Sequence, residues 1–230
     1  MNIAISQRVI KKDKATDYDA LEQDYAEYYG RFGITLVPVP NKTGDAGKFI
    51  EGLGIKGIIL SGGNDVNPEL YGQKAEKEKD VAPARDVMEG KLLEIAAQKN
   101  IPVLCECRGM QFLNVHFGGS IVRRALEEGR TAMRHVGTMH EVEIVDAAAA
   151  KYLGMGKAEV NSYHNNCISK EGLAKPLRIF AQSRDGMVEG AYHPKLPFAA
   201  VLWHPERKPH ESKINRMLVD AFVRRELFWQ

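Results

Sequence analysis

Cys107 is the residue of this sequence whose type and position best suit covalent chemistry. It lies in the stretch PVLCECRGMQ, where an apolar strand meets a helix that opens with Arg108 and Gly109. A sharp strand-to-helix turn pushes the side chain at its apex out of the sheet and points the following amides at it. Because a helix N-terminus stabilises negative charge, this position favours a thiolate, which is the nucleophilic form of cysteine.

Two other roles for Cys107 stay open on the sequence alone. A free cysteine commonly acts as a small apolar side chain in a protein core. The spacing Cys105-x-Cys107 also occurs in metal sites, but no second pair of cysteines or histidines has a spacing that would complete a zinc site. We therefore predict no metal and no organic cofactor.

A thiol nucleophile needs a base, and seven histidines compete for that role. His204 lies in AAVLWHPERK, directly after an apolar stretch, and Glu206 follows two residues later. A carboxylate there can accept a hydrogen bond from one ring nitrogen, which fixes the tautomer and leaves the other nitrogen for the thiol. We therefore predict His204 as the base and Glu206 as the group that orients it.

The runner-up among the other histidines, His164, lacks an adjacent carboxylate. His164, in VNSYHNN, is the alternative base, and we interpret it as a substrate-pocket residue. The remaining five are predicted to be structural or exposed, namely His116, His135, His140, His193 and His210.

Attack of a thiolate on an amide carbonyl creates an oxyanion, which needs preorganised hydrogen-bond donors. The backbone N–H of Arg108 is one predicted donor. The glycine turn SGGN at residues 61–64 can supply the other, because glycine tolerates the backbone angles that an inward-pointing N–H requires. Asn64, Asp65 and Asn67 either shape the mouth of the pocket or hold the loop backbone.

Hydrophobic patterning indicates the elements that position these residues. Apolar strand-like segments alternate with amphipathic helices, which predicts an α/β fold with a mostly parallel sheet and helices on both faces. Ligands bind at the carboxyl ends of the strands in such sheets. The predicted strands begin at residues 2, 34, 57 and 101, and the predicted helices run over Asp17–Phe32, from Asp86 as N-cap to Lys99, and over Arg108–Phe117.

The second half of the chain has a different pattern. Strand-like segments follow one another with turns between them, which predicts an antiparallel or mixed part of the sheet. They cover residues 138–145, 177–183, 187–193 and 198–203, and a last helix runs from about Glu211 to Glu226.

Composition limits the class of protein. The chain has 230 residues and no internal repeat or linker, so we predict one domain over residues 1–230. A net charge of +2 gives no reason to expect nucleic acid as a partner. Three cysteines do not form a disulfide framework, and we find neither a signal peptide nor a membrane span. We predict a cytoplasmic protein with a small-molecule substrate and no membrane partner; a homo-oligomer is compatible with the sequence.

The ordered motifs LSGGND, PVLCECRGMQFLN, VNSYHN and WHPE resemble the class I glutamine amidotransferase-like superfamily. Within it they resemble the γ-glutamyl hydrolase branch (peptidase C26), which includes γ-glutamyl-γ-aminobutyrate hydrolase. The resemblance runs over nearly the whole chain and implies a flavodoxin-like, mostly parallel sheet with an antiparallel extension. It implies a triad of Cys107, His204 and Glu206, an oxyanion hole at Gly63 and Arg108, and hydrolysis of a γ-glutamyl amide through a thioester.

The matching motif positions also imply substrate contacts, at Gln111, Tyr163, His164 and Asn165. Two interpretations stay open for Arg85: it recognises the glutamyl group or the leaving portion, or it belongs with Asp86 to a helix cap and a surface ion pair. Cys105 departs from the superfamily, which usually has glycine at that position, and its side chain could crowd the turn or line the pocket.

Several less specific motifs resemble one subfamily of this branch. ISQRV, ALEQDYAEYYGRFG, LVPVPN, ARD and LWHPER are similar to the γ-glutamyl-CDP-amidate hydrolases, which take part in the phosphoramidate modification of bacterial capsules. This resemblance implies release of glutamate and cytidine diphosphoramidate. The alternatives are a γ-glutamyl-γ-aminobutyrate-type hydrolase, a glutaminase subunit that delivers ammonia to a synthetase, and a non-catalytic binding module. A complete triad argues against the last.

Overall fold

A nine-stranded sheet and a separate two-stranded sheet make up the strands of this computed structural model, which describes residues 1–13, 15–74, 80–207 and 212–225. In chain order the strands are β1 (Asn2–Ser6), β2 (Arg8–Lys11), β3 (Asp17–Ala20), β4 (Thr35–Val39), β5 (Gly57–Leu60), β6 (Val103–Glu106), β7 (Val136–Ile144), β8 (Lys157–Tyr163), β9 (Arg178–Ser183), β10 (Val188–Tyr192) and β11 (Phe198–Val201). The helices are α1 (Gln23–Gly30), α2 (Ala46–Gly52), α3 (Pro83–Lys99), α4 (Arg108–His116), α5 (Ala147–Leu153) and α6 (Lys213–Arg224).

The large sheet has a parallel half and an antiparallel half. Its strand order is β4-β1-β5-β6-β11-β10-β9-β7-β8. The pairs from β4 to β11 are parallel, and the pairs from β11 to β8 are antiparallel. The sheet therefore confirms the predicted mostly parallel α/β fold with an antiparallel extension.

Helices cover both faces of the parallel half. Ile58 and Leu60 of β5 belong to a core shared with α3 and α4. Ile59 lies between them in sequence but belongs to a second core, shared with α1 and α6. Successive side chains of a strand point to opposite faces, so these two cores lie on the two sides of the sheet. β5 and β6 are neighbours at its centre, and their carboxyl ends lie side by side.

The predicted helix over Asp17–Phe32 is wrong in its first part. Residues Asp17–Ala20 form β3, which pairs antiparallel with β2, and the helix begins only at Gln23. The Asp19 carboxylate accepts hydrogen bonds from the backbone and side-chain nitrogens of Asn41, at 2.8 and 2.7 Å. Strand pairing and this long-range anchor outweigh the local helical pattern.

Other boundaries also differ from the sequence predictions. Helix α3 begins at Pro83, a residue that suits the first helical position because its missing N–H would have no intrahelical partner. Asp86 is therefore inside the first turn and is not the N-cap. Strand β8 and helix α5 were not predicted, and both predicted ends of the last helix, residues 211 and 226, lie outside the described residues.

None of the helices in the described ranges combines the length and the apolar character that a membrane span requires.

Candidate active site

Cys107 occupies a strained turn between β6 and α4. Its backbone has φ 51° and ψ −108°, a positive φ that side-chain-bearing residues rarely adopt. The Cys107 N–H donates a 2.8 Å hydrogen bond to the carbonyl oxygen of Val201 in the neighbouring strand β11. Strain of this kind is found at functional sites, where the surrounding structure maintains it.

Gly109 allows α4 to lie close to β5. A Cβ atom added at Gly109 would stand 2.1 Å from the carbonyl oxygen of Leu60, which is far inside van der Waals contact. Only glycine therefore permits this approach, and the approach brings the start of α4 against the end of β5. This contact determines where the Cys107 turn stands relative to the glycine loop.

Cys105 does not crowd the turn or line the pocket. Its side chain is fully buried in the core that α3 and α4 share with the sheet. Burial raises the pKa of the Cys105 thiol well above its usual range. Cys105 therefore remains a neutral core residue at neutral pH.

The His204 imidazole lies between a carboxylate and a thiol. Its Nδ1 is 2.7 Å from Oε1 of Glu206, and the ring lines the same pocket as Cys107, with both side chains close to Gly62. Burial by itself would lower the pKa of His204, but the interactions with Cys107 and Glu206 raise it well above its usual value. The structure thus brings together the side chains of Cys107, His204 and Glu206, which the sequence analysis predicted as one group.

Asn161 holds the backbone of His204 in place. Its side-chain nitrogen donates to the His204 carbonyl, and its side-chain oxygen accepts from the His204 N–H, both at 2.8 Å. The sequence analysis missed this residue, although it stands within the VNSYHN motif. A buried asparagine that satisfies both backbone groups of the base fixes where the imidazole stands.

Glu106 forms a second layer behind the triad. The Tyr29 hydroxyl donates to Glu106 Oε1, and the Glu106 carboxyl is within hydrogen-bonding reach of Glu206. Complete burial, followed by repulsion from Glu206, raises the pKa of Glu106 well above its usual range. A protonated Glu106 can donate to Glu206, and each of these residues has a buried Oε2 without a hydrogen-bond partner among the described residues.

The glycine loop after β5 faces the nucleophile. A Cβ atom at Gly62 would lie 2.8 Å from Cε1 of His204 and 3.6 Å from Cβ of Cys107. The Gly62 N–H donates to the Tyr25 hydroxyl at 2.9 Å, whereas Gly63 has the positive φ of +92° that favours glycine. Gly63 also lines the pocket beside Cys107 and Arg108, so the predicted oxyanion-hole residues are adjacent.

Arg85 supports this loop from inside the protein, which corrects both interpretations of it. Its side chain is fully buried and does not line the pocket. The guanidinium donates to the carbonyl oxygens of Ser61 and Gly62, at 2.6 and 2.9 Å, and to Glu89 at 2.8 Å. Three carbonyl and carboxylate acceptors surround the cation, so it cannot also reach a ligand.

A buried ionic network joins the loop to the nucleophile helix. The Arg108 guanidinium pairs with Glu89 and Asp86, and Glu89 also pairs with Arg85. Burial lowers the pKa of Arg85 to about 10 and that of Arg108 to about 9, so both remain charged at neutral pH. Arg108 therefore lines the pocket and has a side chain that anchors its helix.

The pocket at this site has a volume of about 300 Å³. Its lining includes Cys107, His204 and the four residues that the motif positions implied, namely Gln111, Tyr163, His164 and Asn165. The Gln111 amide donates to the carbonyl oxygen of Asn166 at 2.9 Å, which ties α4 to the loop after β8. The Asn64 side chain bonds both backbone groups of Val9, so it holds the loop backbone.

Two arginines at the pocket were missed by the sequence analysis. Arg207 stacks its guanidinium 4.5 Å above the Tyr163 ring and pairs with Glu22 at 2.9 Å. Arg8 lines the pocket from β2, and its Nη2 lies 3.9 Å from Oδ2 of Asp80. Arg207 follows the WHPE motif directly, and this proximity was the one sequence signal for it.

The remaining histidines divide into two groups. His116 is exposed, the His193 ring accepts hydrogen bonds from two backbone amides, and His210 lies outside the described residues. His135, His140 and His164 instead surround the buried carboxylate of Glu189. No local sequence motif links these four residues, so this group was not predicted.

The fold matches that of class I glutamine amidotransferases. A crystal structure of a glutamine amidotransferase from Thermotoga maritima superposes with a TM-score of 0.62 at 16% sequence identity, covering 97% of this chain and 83% of that chain.

The family model for peptidase C26 matches residues 2–206, and the chain belongs to this family of glutamine amidotransferase-like hydrolases. Protein NtpR of Enterococcus hirae is 33% identical over 176 residues, covering 72% of this chain and 73% of NtpR. The γ-glutamyl-γ-aminobutyrate hydrolase PuuD of Escherichia coli is 30% identical over 184 residues, covering 74% of this chain and 71% of PuuD.

Proposed function

We propose that this protein hydrolyses a γ-glutamyl amide bond and releases glutamate through a thioester on Cys107. The observation that carries this proposal is the position of the His204 ring, which lines one pocket with Cys107 and has its Nδ1 2.7 Å from Glu206 Oε1. A thiol, a base and an orienting carboxylate at one pocket form the arrangement that nucleophilic catalysis on an acyl group needs.

The first half of the reaction forms the thioester. His204 takes the proton of the Cys107 thiol, and the sulfur attacks the γ-carbonyl carbon of the glutamyl group. The resulting oxyanion accepts hydrogen bonds from the backbone N–H groups of Gly63 and Arg108. His204 then transfers its proton to the departing nitrogen, and the carbon–nitrogen bond breaks.

The second half releases glutamate. A water molecule loses a proton to His204 and attacks the thioester carbonyl, and the carbon–sulfur bond breaks after a second oxyanion. His204 returns the proton to the Cys107 sulfur. Glu206 stabilises the imidazolium in both halves, and protonated Glu106 keeps Glu206 oriented toward His204.

Recognition of the glutamyl group needs donors for its α-carboxylate and acceptors for its α-amino group. Gln111, Tyr163 and Asn165 line the pocket beside Cys107 and are the proposed partners. His164 forms part of the pocket wall but is not a proposed hydrogen-bond partner of the substrate, because its ring faces Glu189.

Two arginines at the pocket suit an anionic leaving portion, and the two carboxylates beside them, Asp65 and Asp80, accept hydrogen bonds from Asn166 and Asn64. Arg8 and Arg207 both line the pocket, and the Nε atom of Arg8 is buried without a hydrogen-bond partner in the described part of the protein. Phosphate oxygens suit such guanidinium groups. This supports the γ-glutamyl-CDP-amidate that the less specific motifs suggest, and capsule phosphoramidate synthesis as its context. The name of the E. coli relative supports γ-glutamyl-γ-aminobutyrate as the second candidate.

A panel of γ-glutamyl conjugates tests the substrate. Glutamate release is measured from γ-glutamyl-CDP-amidate, γ-glutamyl-γ-aminobutyrate and free glutamine with the isolated protein. We expect kcat/KM for the nucleotide amidate to exceed that for the other two by at least tenfold. Arg8→Gln should reduce this preference, and Arg31→Gln, which alters an exposed pair with Glu27 on α1, should leave it unchanged.

The other outcomes separate the alternatives. A preference for the γ-aminobutyrate conjugate would replace the nucleotide substrate with the second candidate. Activity on glutamine alone, and only with an added synthetase, would identify an ammonia-delivering subunit. No glutamate release from any conjugate would reject the hydrolase proposal.

A further inference from the structure

Three imidazoles converge on one buried carboxylate in the antiparallel half of the sheet. His135 Nδ1, His140 Nε2 and His164 Nε2 each lie 3.6 Å from the same Oε1 atom of Glu189. All four residues are buried. They come from the loop before β7, from β7, from the end of β8 and from β10, so tertiary structure alone brings them together.

Outer hydrogen bonds fix the tautomers of two of these rings. His135 Nε2 is 3.0 Å from the Asp185 carboxylate, and His164 Nδ1 is 3.2 Å from the Asn166 carbonyl oxygen. Both partners are acceptors, so each of these outer nitrogens carries a proton. In the neutral ring the inner nitrogen then has a lone pair, which points toward Glu189.

The inner atoms have no hydrogen bonds to satisfy them. His135 Nδ1, His164 Nε2 and both carboxylate oxygens of Glu189 are buried and lack a hydrogen-bond partner within the described ranges. A separation of 3.6 Å exceeds the roughly 2.7–3.2 Å of an N–H···O hydrogen bond. A single added proton could serve only one of the pairs, and burying the other polar atoms without partners is costly.

We propose that His135, His164 and Glu189 bind a divalent zinc-class cation, with His140 packed beside them against Glu189. Zinc bonds to nitrogen and oxygen are about 2.0–2.2 Å, so tetrahedral ligands stand about 3.4 Å apart. The nitrogen–oxygen separations here are 3.6 Å, and the ligand atoms of His135, His164 and Glu189 all lie within 4.8 Å of one another. Asp185 and the Asn166 carbonyl act as the outer acceptors that metal-bound histidines usually have.

The cation has a structural role and influences the substrate pocket. Two histidines and one glutamate supply three ligands, and a cation held by them would join the loop before β7, the end of β8 and β10. His164 joins the site to the loop at residues 164–166, which lines the pocket beside Cys107. Loss of the cation should therefore loosen one wall of the pocket while the triad stays assembled.

Metal analysis of the untagged full-length protein tests the site. The protein is incubated with zinc, separated from unbound metal by gel filtration and analysed by mass spectrometry. We expect about one zinc per chain in the wild type and in Cys107→Ser, which removes the active-site thiol. We expect Glu189→Gln to bind zinc at least tenfold more weakly and His116→Asn, an exposed control, to bind normally.

Cobalt substitution gives a test that requires no variant of the cluster. A cobalt-loaded wild-type protein should show the visible bands of a tetrahedral nitrogen and oxygen site, without thiolate charge-transfer absorption. Zinc that is lost in Cys107→Ser and kept in Glu189→Gln would place the metal at the active site and overturn the proposal. A folded wild-type protein that retains no zinc would show that protons alone neutralise the cluster and would also overturn it.

Discussion

The guanidinium of Arg85 donates a 2.9 Å hydrogen bond to the carbonyl oxygen of Gly62, from the buried side of the glycine loop. A second bond, to Ser61, fixes the preceding carbonyl. With both carbonyls held inward, the following amide of Gly63 is left at the pocket. The cation is in turn held by Glu89, which also pairs with Arg108. One ionic network thus positions both predicted oxyanion donors.

Arg85→Lys should lower kcat by about 10²–10³-fold with little change in KM. A lysine lacks the planar fork of donors that binds the carbonyls of Ser61 and Gly62, so the Gly63 amide would no longer be held toward the oxyanion. Steady-state kinetics on the best γ-glutamyl substrate measures this. Arg124→Lys, in an exposed pair with Glu128, is the matched control and should behave as wild type. A normal kcat in Arg85→Lys would show that the loop needs no such support.

Cys107→Ala should abolish turnover and leave the free energy of unfolding nearly unchanged, because the side chain is the nucleophile and contributes little packing. Cys105→Ala is the matched control two residues away. It should keep its activity but lose about 1 kcal/mol of stability through a small core cavity. Glutamate release measures turnover, and urea denaturation measures stability. Full activity in Cys107→Ala would show that Cys107 is not the nucleophile.

His204→Ala should prevent formation of the thioester, since no base remains to accept the Cys107 proton. His164→Ala should still form the thioester, with a raised KM and a lower Tm, because it lines the pocket and belongs to the Glu189 cluster. Mass spectrometry of the protein quenched during turnover detects the covalent intermediate. The opposite pattern would exchange the roles of the two histidines.

Glu106→Gln should flatten the pH dependence of stability. The folded protein keeps Glu106 protonated because burial and Glu206 raise its pKa, whereas the unfolded chain ionises it above pH 4.5. Wild-type stability therefore contains a contribution that is complete below about pH 4.5 and falls as pH rises toward the folded pKa, by up to about 1.4 kcal/mol per unit. Glutamine mimics the protonated acid and removes this loss.

Urea denaturation between pH 5 and 9 tests the Glu106 prediction. The variant should become more stable than wild type as pH rises. Glu51→Gln, an exposed glutamate paired with Lys99, is the control and should leave the slope unchanged. Parallel curves for Glu106→Gln and wild type would mean that Glu106 is ionised in the folded protein.

Gly109→Ala should destabilise the protein by about 3 kcal/mol and reduce kcat, because its Cβ would overlap the Leu60 carbonyl oxygen at 2.1 Å. The helix start would have to move away from β5, and Cys107 would move with it. Gly52→Ala is the control, since a Cβ there meets no atom within 4 Å. Thermal denaturation and kinetics of both variants measure the difference, and a neutral Gly109→Ala would contradict the close approach.

Local sequence was a good guide wherever a single strand or helix carried the signal. The apolar runs of β5 and β6 are buried at every position, and the helix after Cys107 begins and ends within one residue of its prediction. Cys107, His204 and Glu206 were identified because each stands beside a strand end with recognisable neighbours. Residues 17–20 were misassigned because their strand depends on pairing with residues 8–11.

The sequence by itself determined the α/β class and pointed to Cys107, His204 and Glu206 as one group, since these follow from periodicity and from motifs of a few adjacent residues. Tertiary structure alone decided that Arg85 supports the loop from within and that Glu106 shares a buried site with Glu206. It also decided that three histidines, from the loop before β7, from β7 and from the end of β8, surround Glu189. Burial and convergence depend on distances between parts of the chain that are far apart in sequence, and no local pattern encodes those distances.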